Sequence, residues 1–434
     1  MESPPETRVA ATDSAALTDS EAATDSEAVT DSEAVTGSEE LGLFDDAVAG
    51  DVRDPYPELA EARRAHPVQR LDSSLMPHDE GQEVFFVYRH EDIAQILRDA
   101  DTYSSAHIID LIMGPVMGEH IMLGMDDPQH RRYRGLVSTA FRQKTLARWD
   151  TELVAPVAAG LIDAFADRGH ADLVPEFTFP FPTQVIAGIL GLPREDYRQF
   201  QRWSTAILSF FTKLDEAIAA ARELTEYIAK ILAQRRRAPR ADLISELAQA
   251  ELDGEHLSDE EIFSFLRLLL PAGVETTYRA TGNLLFSLLS SPPQLDALRA
   301  DRSLIPQAIE EALRLETPLL NITRLATKDS EVGGVRIPAG STVMLMLAAA
   351  NRDEDRYADP DRYDVFRESP KPHISFGHGP HSCLGLHLAR MEMRTALNLL
   401  VDRLPNLRLS PDGDDPHIRG QVFRSPTSLP VLFG

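Results

Sequence analysis

A mostly α-helical protein with a minor β region, folded as a single large domain, is what this 434-residue chain predicts. Three observations lead there. Apolar residues make up 43% of the chain, enough for a deep core. Helical spacing dominates, and the short strand-like runs never alternate with helices as βαβ units. No Pro/Gly/Ser-rich linker divides the body.

The first forty residues stand apart. They carry a six-residue repeat built on Thr12, Thr18, Thr24, Thr30 and Thr36, whose apolar groups are Ala and Val apart from the single Leu17. Such a segment cannot bury enough surface to offset the entropy of ordering it, so residues 1–40 read as a disordered acidic tail and residues 41–434 as the folded domain. Asp54-Pro55-Tyr56-Pro57 starts a short helix through Arg64. Strand character follows at Val68 to Leu71 and Glu83 to Tyr88, around a turn at Asp79 to Gly81, and a helix resumes at Glu91 to Leu97. The Met- and Gly-rich stretch from Ala106 to Met125 lacks a period and reads as a long loop against apolar surroundings.

Helices then dominate from Asp127 to Gly191, with breaks expected at Gly169-His170 and at Phe179-Pro180-Phe181-Pro182. A second helical block spans Arg194 to Arg237. Ser258-Asp259-Glu260-Glu261 is a capping sequence opening a long helix to Ser290. A shorter helix covers Leu304 to Leu315, and short strands with Gly and Pro turns fill Ile322 to Leu347. An irregular Pro/Asp/Arg-rich segment runs from Asn351 to Pro372, and the last helix is expected from Cys383 to Leu400.

The formal net charge is −26. Eleven acids against one arginine put about −10 of this in the first forty residues, which leaves about −16 for the body. That balance disfavours nucleic acid and anionic membranes as partners. No apolar run is long enough to span a bilayer, so no membrane insertion is expected. A secretory signal pattern is absent, and one cysteine cannot form an internal disulfide; both fit a cytoplasmic location.

That cysteine sits in Phe376-Gly377-His378-Gly379-Pro380-His381-Ser382-Cys383-Leu384-Gly385. Two glycines able to take positive φ and a proline shape a tight loop whose N–H groups can converge, ahead of a helix N-terminus that favours an anion. Taken alone, Cys383 could be ordinary buried filler. As a nucleophile it has His381 nearby but no visible triad. A zinc site needs further ligands at regular spacing, and a phosphate loop needs Lys-Ser/Thr after the glycines. A single thiolate from a Gly-rich loop suits a haem iron.

The segment resembles the haem-binding signature of the cytochrome P450 family, F-G-x-G-x-H/R-x-C-x-G, at every fixed position. The resemblance covers about 390 residues from Asp54 onward. It implies a domain built around buried haem b, with Cys383 as the iron ligand, Phe376 shielding it, Gly377 shaping the loop, His381 on a haem propionate, and Gly385 allowing close approach. Leu268-Leu-Leu-Pro-Ala-Gly-Val-Glu-Thr-Thr277 is similar to the family's oxygen-activation motif. There Ala272 and Gly273 would open a groove over the iron, while Glu275 and Thr276 would relay protons. Pro271 departs from the family pattern and removes a helix hydrogen bond to Arg267.

Glu311 and Arg314 resemble the family's E-x-x-R pair, with Arg367 as third member; all three are assigned to the fold. His130, Arg134 and Arg324 match further propionate ligands. The resemblance implies a monooxygenase using O2, with electrons from an iron–sulfur ferredoxin and an NAD(P)H-dependent reductase. Docking is expected over Arg131, Arg132, Arg142, Lys144 and Arg394. Ile108 to Met122, Trp203 to Phe211, Leu270, Val274, Leu319 to Ile322, and Val422-Phe423 are candidate lining for a hydrophobic small-molecule substrate. A peroxide-using or rearranging haem-thiolate enzyme and a non-catalytic haem sensor are the alternatives.

Overall fold

The computed structural model describes residues 52–71, 83–107, 114–209, 213–368, 371–413 and 415–434. The acidic tail, the Asp79–Gly81 turn, Ile108 to Met113, and Phe210 and Phe211 lie outside them. Five strands form the main sheet: β1 (Val68–Leu71), β2 (Val84–Val87), β3 (Tyr103–Ser104), β4 (Ile322–Ala326) and β5 (Thr342–Leu345). Their order is β1-β2-β5-β4-β3. β5 is the centre, parallel to β2 with Thr342 opposite Val84 and antiparallel to β4 with Thr342 opposite Leu325. Its buried Val343 and Leu345 pack with Phe85, Val87, Ile93 and Ile96 in a core of their own. The apolar run Val343 to Ala350 is therefore half strand and half a short buried helix, Leu347–Ala350.

The helices that position the site are α1 (His90–Arg98), α2 (Gln129–Ser138), α3 (Pro180–Ile189), α4 (Leu214–Arg237), α5 (Asp259–Leu270), α6 (Thr276–Leu289), α7 (Ile305–Leu315) and α8 (Leu386–Arg403). α5 opens with a full capping box: Ser258 Oγ accepts from the Glu261 N–H at 3.2 Å, and Glu261 Oε2 accepts from the Ser258 N–H at 2.8 Å. Pro271 cannot donate to the Arg267 carbonyl, and there α5 gives way to a π-helical turn, Pro271–Glu275, before α6 resumes. From Thr277 to Leu285 every residue is buried, so this bent helix runs through the core.

Two expectations need correction. Phe179 to Pro182 is no break: a helix begins at Pro180, directly after a π-helical turn at Val174–Thr178. Both prolines lie in the first turn, where a missing N–H leaves no bond unmade. The last helix begins at Leu386 rather than Cys383, with Gly385 as its N-cap, because the loop preceding the cysteine closes on itself instead.

Glu311, Arg314 and Arg367 come together. Glu311 Oε1 lies 2.8 Å from Arg314 Nη2 and 2.9 Å from Arg367 Nη2. Arg314 also donates to the carbonyls of Asn351 (3.0 Å) and Pro360 (2.7 Å), which pins the irregular segment to α7. Glu311→Ala would strand two guanidinium groups and should cost roughly 3–5 kcal/mol. Denaturant unfolding of the haem-loaded variant measures this, and a loss below about 1 kcal/mol would remove the trio from the structural frame.

At the start of α1, the buried His90 donates its backbone N–H to Asp353 Oδ2 at 3.0 Å. Burial, then the Arg356 charge, lowers its pKa from 6.5 to about 4, against the opposing pull of Asp353. The unfolded chain therefore takes up a proton that the folded one refuses. Stability should hold above about pH 6.5 and decline between there and pH 4, by on the order of 2 kcal/mol. Melting curves across this window should flatten in His90→Gln; an equal decline in the variant would clear His90.

Candidate active site

The cysteine loop is shaped by its glycines. Gly377 and Gly379 have φ of +69° and +70°. At Gly379 a Cβ would meet the Leu97 carbonyl oxygen at 2.2 Å, so the loop can seat on the end of α1 only with glycine there. The Cys383 N–H donates to the Phe376 carbonyl at 2.8 Å, the Ser382 N–H donates to Gly379 at 3.1 Å, and Arg134 Nη2 donates to the Ser382 carbonyl at 2.7 Å. The Phe376 ring has the Arg390 guanidinium 4.5 Å from its centroid and the His373 ring at 5.8 Å.

Cys383 combines two properties that conflict at an ordinary surface. Its side chain is exposed, yet burial pushes the thiol pKa up, opposed by the Gly385 N–H and by Arg134 and Arg390. Accessible surface beneath so much protein means that the sulfur faces an interior space. The loop does not ionise the thiol by itself; a bound cation would complete the stabilisation of a thiolate.

Positive charge gathers beside it. The His130 and His381 rings stack at 3.9 Å with 27° between planes. Burial, then His130 and Arg324, pushes His381 down to about 3, and burial lowers His130 too. Arg324 on β4 is buried; its Nη1 donates to the Thr323 carbonyl at 2.7 Å, and desolvation lowers it to about 10. The buried Nε2 of His130 has no hydrogen-bond partner among the described residues. A recess of about 360 Å³ lined by Asp127, His130, Arg131, Arg134, Gly135, Ser138 and Pro380 opens here. Crowded, under-satisfied donors of this kind fit a ligand with an anionic edge.

On the bent helix, Ala272 is exposed and Thr276 half-buried, although Leu268, Leu270, Val274 and Glu275 around them are buried. Thr276 Oγ1 donates to the Ala272 carbonyl at 2.8 Å. Gly273 is half-buried like Thr276, and a Cβ there would lie 3.0 Å from Ile186 Cδ1, so its small size also serves contact with α3. Leu270 and Val274, expected as lining, have no accessible surface and pack into the main core. Val116, Met117 and Ile121 are buried likewise, while Leu319, Ile322, Val422 and Phe423 keep partial exposure. Trp203 is anchored by its Nε1, which donates to Glu223 at 2.9 Å.

Glu275 is 2% exposed at its side chain and paired with Arg279 at 2.5 Å. Sequence reasoning missed Arg279; the available signal was a cation one turn after Glu275 in a segment too apolar for a solvated face. The expected docking cations are also partly committed. Arg132 pairs with Glu261 at 2.7 Å and with Glu255, Arg394 with Asp150 at 2.8 Å, and Arg131 with Asp127 at 2.6 Å. Arg142 and Lys144 are exposed and have no ion pair among the described residues.

An interior-facing thiol on a glycine-shaped loop, in a mostly helical domain, is an arrangement that suits a haem-thiolate protein. Comparison with known proteins shows the family. The sequence model of the family described as Cytochrome P450 matches residues 192–431. Cytochrome P450 107B1 of Saccharopolyspora erythraea is 37% identical over 410 residues, covering 91% of this chain and 98% of its own. Erythromycin C-12 hydroxylase of the same organism is 39% identical over 362 residues, covering 81% and 89%. The crystal structure of CYP109E1 from Bacillus megaterium in complex with testosterone superposes with a TM-score of 0.80 at 31% identity, covering 88% of this chain and 99% of that one. The chain belongs to the cytochrome P450 family. It is a P450 monooxygenase and its cofactor is haem b. Among the described residues no helix is long and apolar enough to cross a membrane.

Proposed function

We propose that Cys383 would hold the haem iron through its thiolate, and that the enzyme hydroxylates a hydrophobic small molecule with electrons from a ferredoxin. The observation that carries this reading is the Cys383 sulfur, accessible within crowded protein and bordered by cations. His130, Arg134, Arg324 and His381 would hold the two propionates, as the unmet Nε2 of His130 and the buried guanidinium of Arg324 favour. Phe376, Gly377 and Gly385 would pack around the sulfur, and Ala272 would leave room on the opposite face, with Gly273 seating the helix against α3. Bound there, haem supplies the activation of O2 and the transfer of one oxygen atom to a C–H bond.

The protein's own part is positioning and proton supply. The Thr276 hydroxyl, now donating to Ala272, can turn to hold a water or pass a proton into the interior space. Glu275 would be the acid behind it. Electrons would arrive from an acidic iron–sulfur ferredoxin, served by an NAD(P)H-dependent reductase, docked over the recess at Arg131 and Arg134 and over Arg142 and Lys144. Half-buried Leu319, Val422 and Phe423 supply an apolar wall, and a steroid is seated in the CYP109E1 structure; both favour a bulky apolar substrate.

Two measurements test the assignment. Cys383→Ser should lose the absorbance that distinguishes a thiolate-ligated haem in the reduced, carbon-monoxide-bound state; an unaltered spectrum would overturn the ligand. Thr276→Ala should keep haem and that spectrum, while peroxide released per NAD(P)H consumed rises roughly tenfold. Unchanged coupling would remove Thr276 from the proton path.

A further inference from the structure

α5 carries a charge that none of the roles above uses. Arg267, one turn before Pro271, is half-buried and flanked in the chain by the buried Leu266 and Leu268. It stands where α5, α4 and the short helix Gly114–Met117 pack together. That short helix stops at Gly118, which has φ of +90° and donates its N–H to the Gly114 carbonyl at 2.8 Å. A Cβ on Gly118 would lie 2.6 Å from Arg267 Nη2 and 2.8 Å from Ser264 Oγ. The bare backbone there makes room for the guanidinium.

Little answers this charge. Nη2 donates to Ser264 Oγ at 3.2 Å and Nη1 to Thr225 Oγ1 at 3.5 Å, both neutral hydroxyls. The buried Nε has no hydrogen-bond partner among the described residues. Burial works against the cation, and Glu260, two turns back at the exposed start of α5, attracts it only from a distance. Arginine commonly carries its charge out to water, but this guanidinium is kept under Gly118 with donors to spare. Arg134 and Arg324 are likewise half-buried or buried without an ion pair among the described residues, and both suit carboxylates of the cofactor. Five residues of helix set Arg267 about 8 Å along the axis from the exposed Ala272. We propose that Arg267 is a specificity-determining residue that receives a carboxylate of the substrate. The enzyme then takes acids whose apolar body reaches from Arg267 to the face of Ala272, and the carbon presented to the haem is remote from the acid group. Apolar walls barely separate an acid from its ester, whereas a desolvated guanidinium does so through two charge-assisted bonds. This rests on the reading that an apolar substrate is hydroxylated at the haem.

The test uses the haem-loaded enzyme and titration calorimetry, with haem absorbance read alongside. The probes are dodecanoic, phenylhexanoic and lithocholic acids, each beside its methyl ester. At least one acid should bind the parent about tenfold more tightly than its ester. Arg267→Leu should abolish that preference and leave the ester's affinity unchanged, while Arg267→Lys should keep part of it. An arginine with only a structural role would weaken acid and ester alike when replaced. A parent that favours none of the acids would overturn the proposal, as would an Arg267→Leu enzyme with the parent's preference. Should that variant not fold, Arg267→Gln is judged by the same ratio. Acids held through Arg267 but never hydroxylated with a ferredoxin and its reductase would sink the proposed reaction and leave the acid site standing.

Discussion

Positive charge gathered without enough counter-charge around an interior space is the constraint on which this structure turns. Arg324 is buried with the carbonyl of its own neighbour as partner, His130 keeps a ring nitrogen unmet among the described residues, and the stacked His381 is held neutral by burial first and by neighbours such as Arg324 second. Left so, these groups cost folding free energy. A flat apolar ligand with two carboxylates at its edge would remove that cost while filling the space that Cys383 faces. On the proposed assignment, haem would complete the electrostatics of the protein as well as supply its chemistry.

Holding such a space open needs stiff walls, and these come from buried ion networks outside it. Glu311 binds Arg314 and Arg367 and fixes α7 to the irregular segment before the cysteine loop. Directly after α7, at its C-cap, Glu316 takes Arg352 at 2.8 Å and Arg424 at 3.2 Å, and accepts the Tyr56 hydroxyl at 2.8 Å. Arg424 reaches on to the carbonyls of Val52 and Gly420. One helix thus secures the cysteine side through Glu311 and the C-terminal hairpin through Glu316. Two walls of the site share a single mount, so a strained position on one side is resisted by the other.

Much of this was legible in the sequence where a residue's role follows from local chain geometry. The Ser258 capping box, the glycines of the cysteine loop and the short strands all follow from backbone rules, and the strong resemblance of one ten-residue loop placed the rest in order. What failed to show were properties of facing. Gly273, Leu270 and Val274 have the composition of a groove, but only the helix phase, altered by the π-helical turn at Pro271–Glu275, decides which face opens. In the same way, Arg132 and Arg394 look like free surface cations until their acidic partners, 129 and 244 residues away in sequence, are seen. The helix start at Leu386 escaped because Gly385 reads equally well inside a loop or as a cap.

The same proline that departs from the family pattern explains the division of labour between Glu275 and Thr276. With no N–H at Pro271 to meet the Arg267 carbonyl, the helix relaxes into a wider turn, at whose end the Thr276 hydroxyl donates to the Ala272 carbonyl. Thr276 is thereby kept at the edge of the interior space, its proton engaged by a bond weak enough to exchange. Glu275, one residue earlier, is rotated by about a hundred degrees around the helix and meets Arg279 in a dry environment. Adjacent residues thus hold opposite conditions, one hydroxyl ready to turn and one charge held fast. On the proposed roles, two groups that are neighbours in the chain would act in sequence because the bent helix gives them different surroundings, one paired with Arg279 and one bonded to the Ala272 carbonyl.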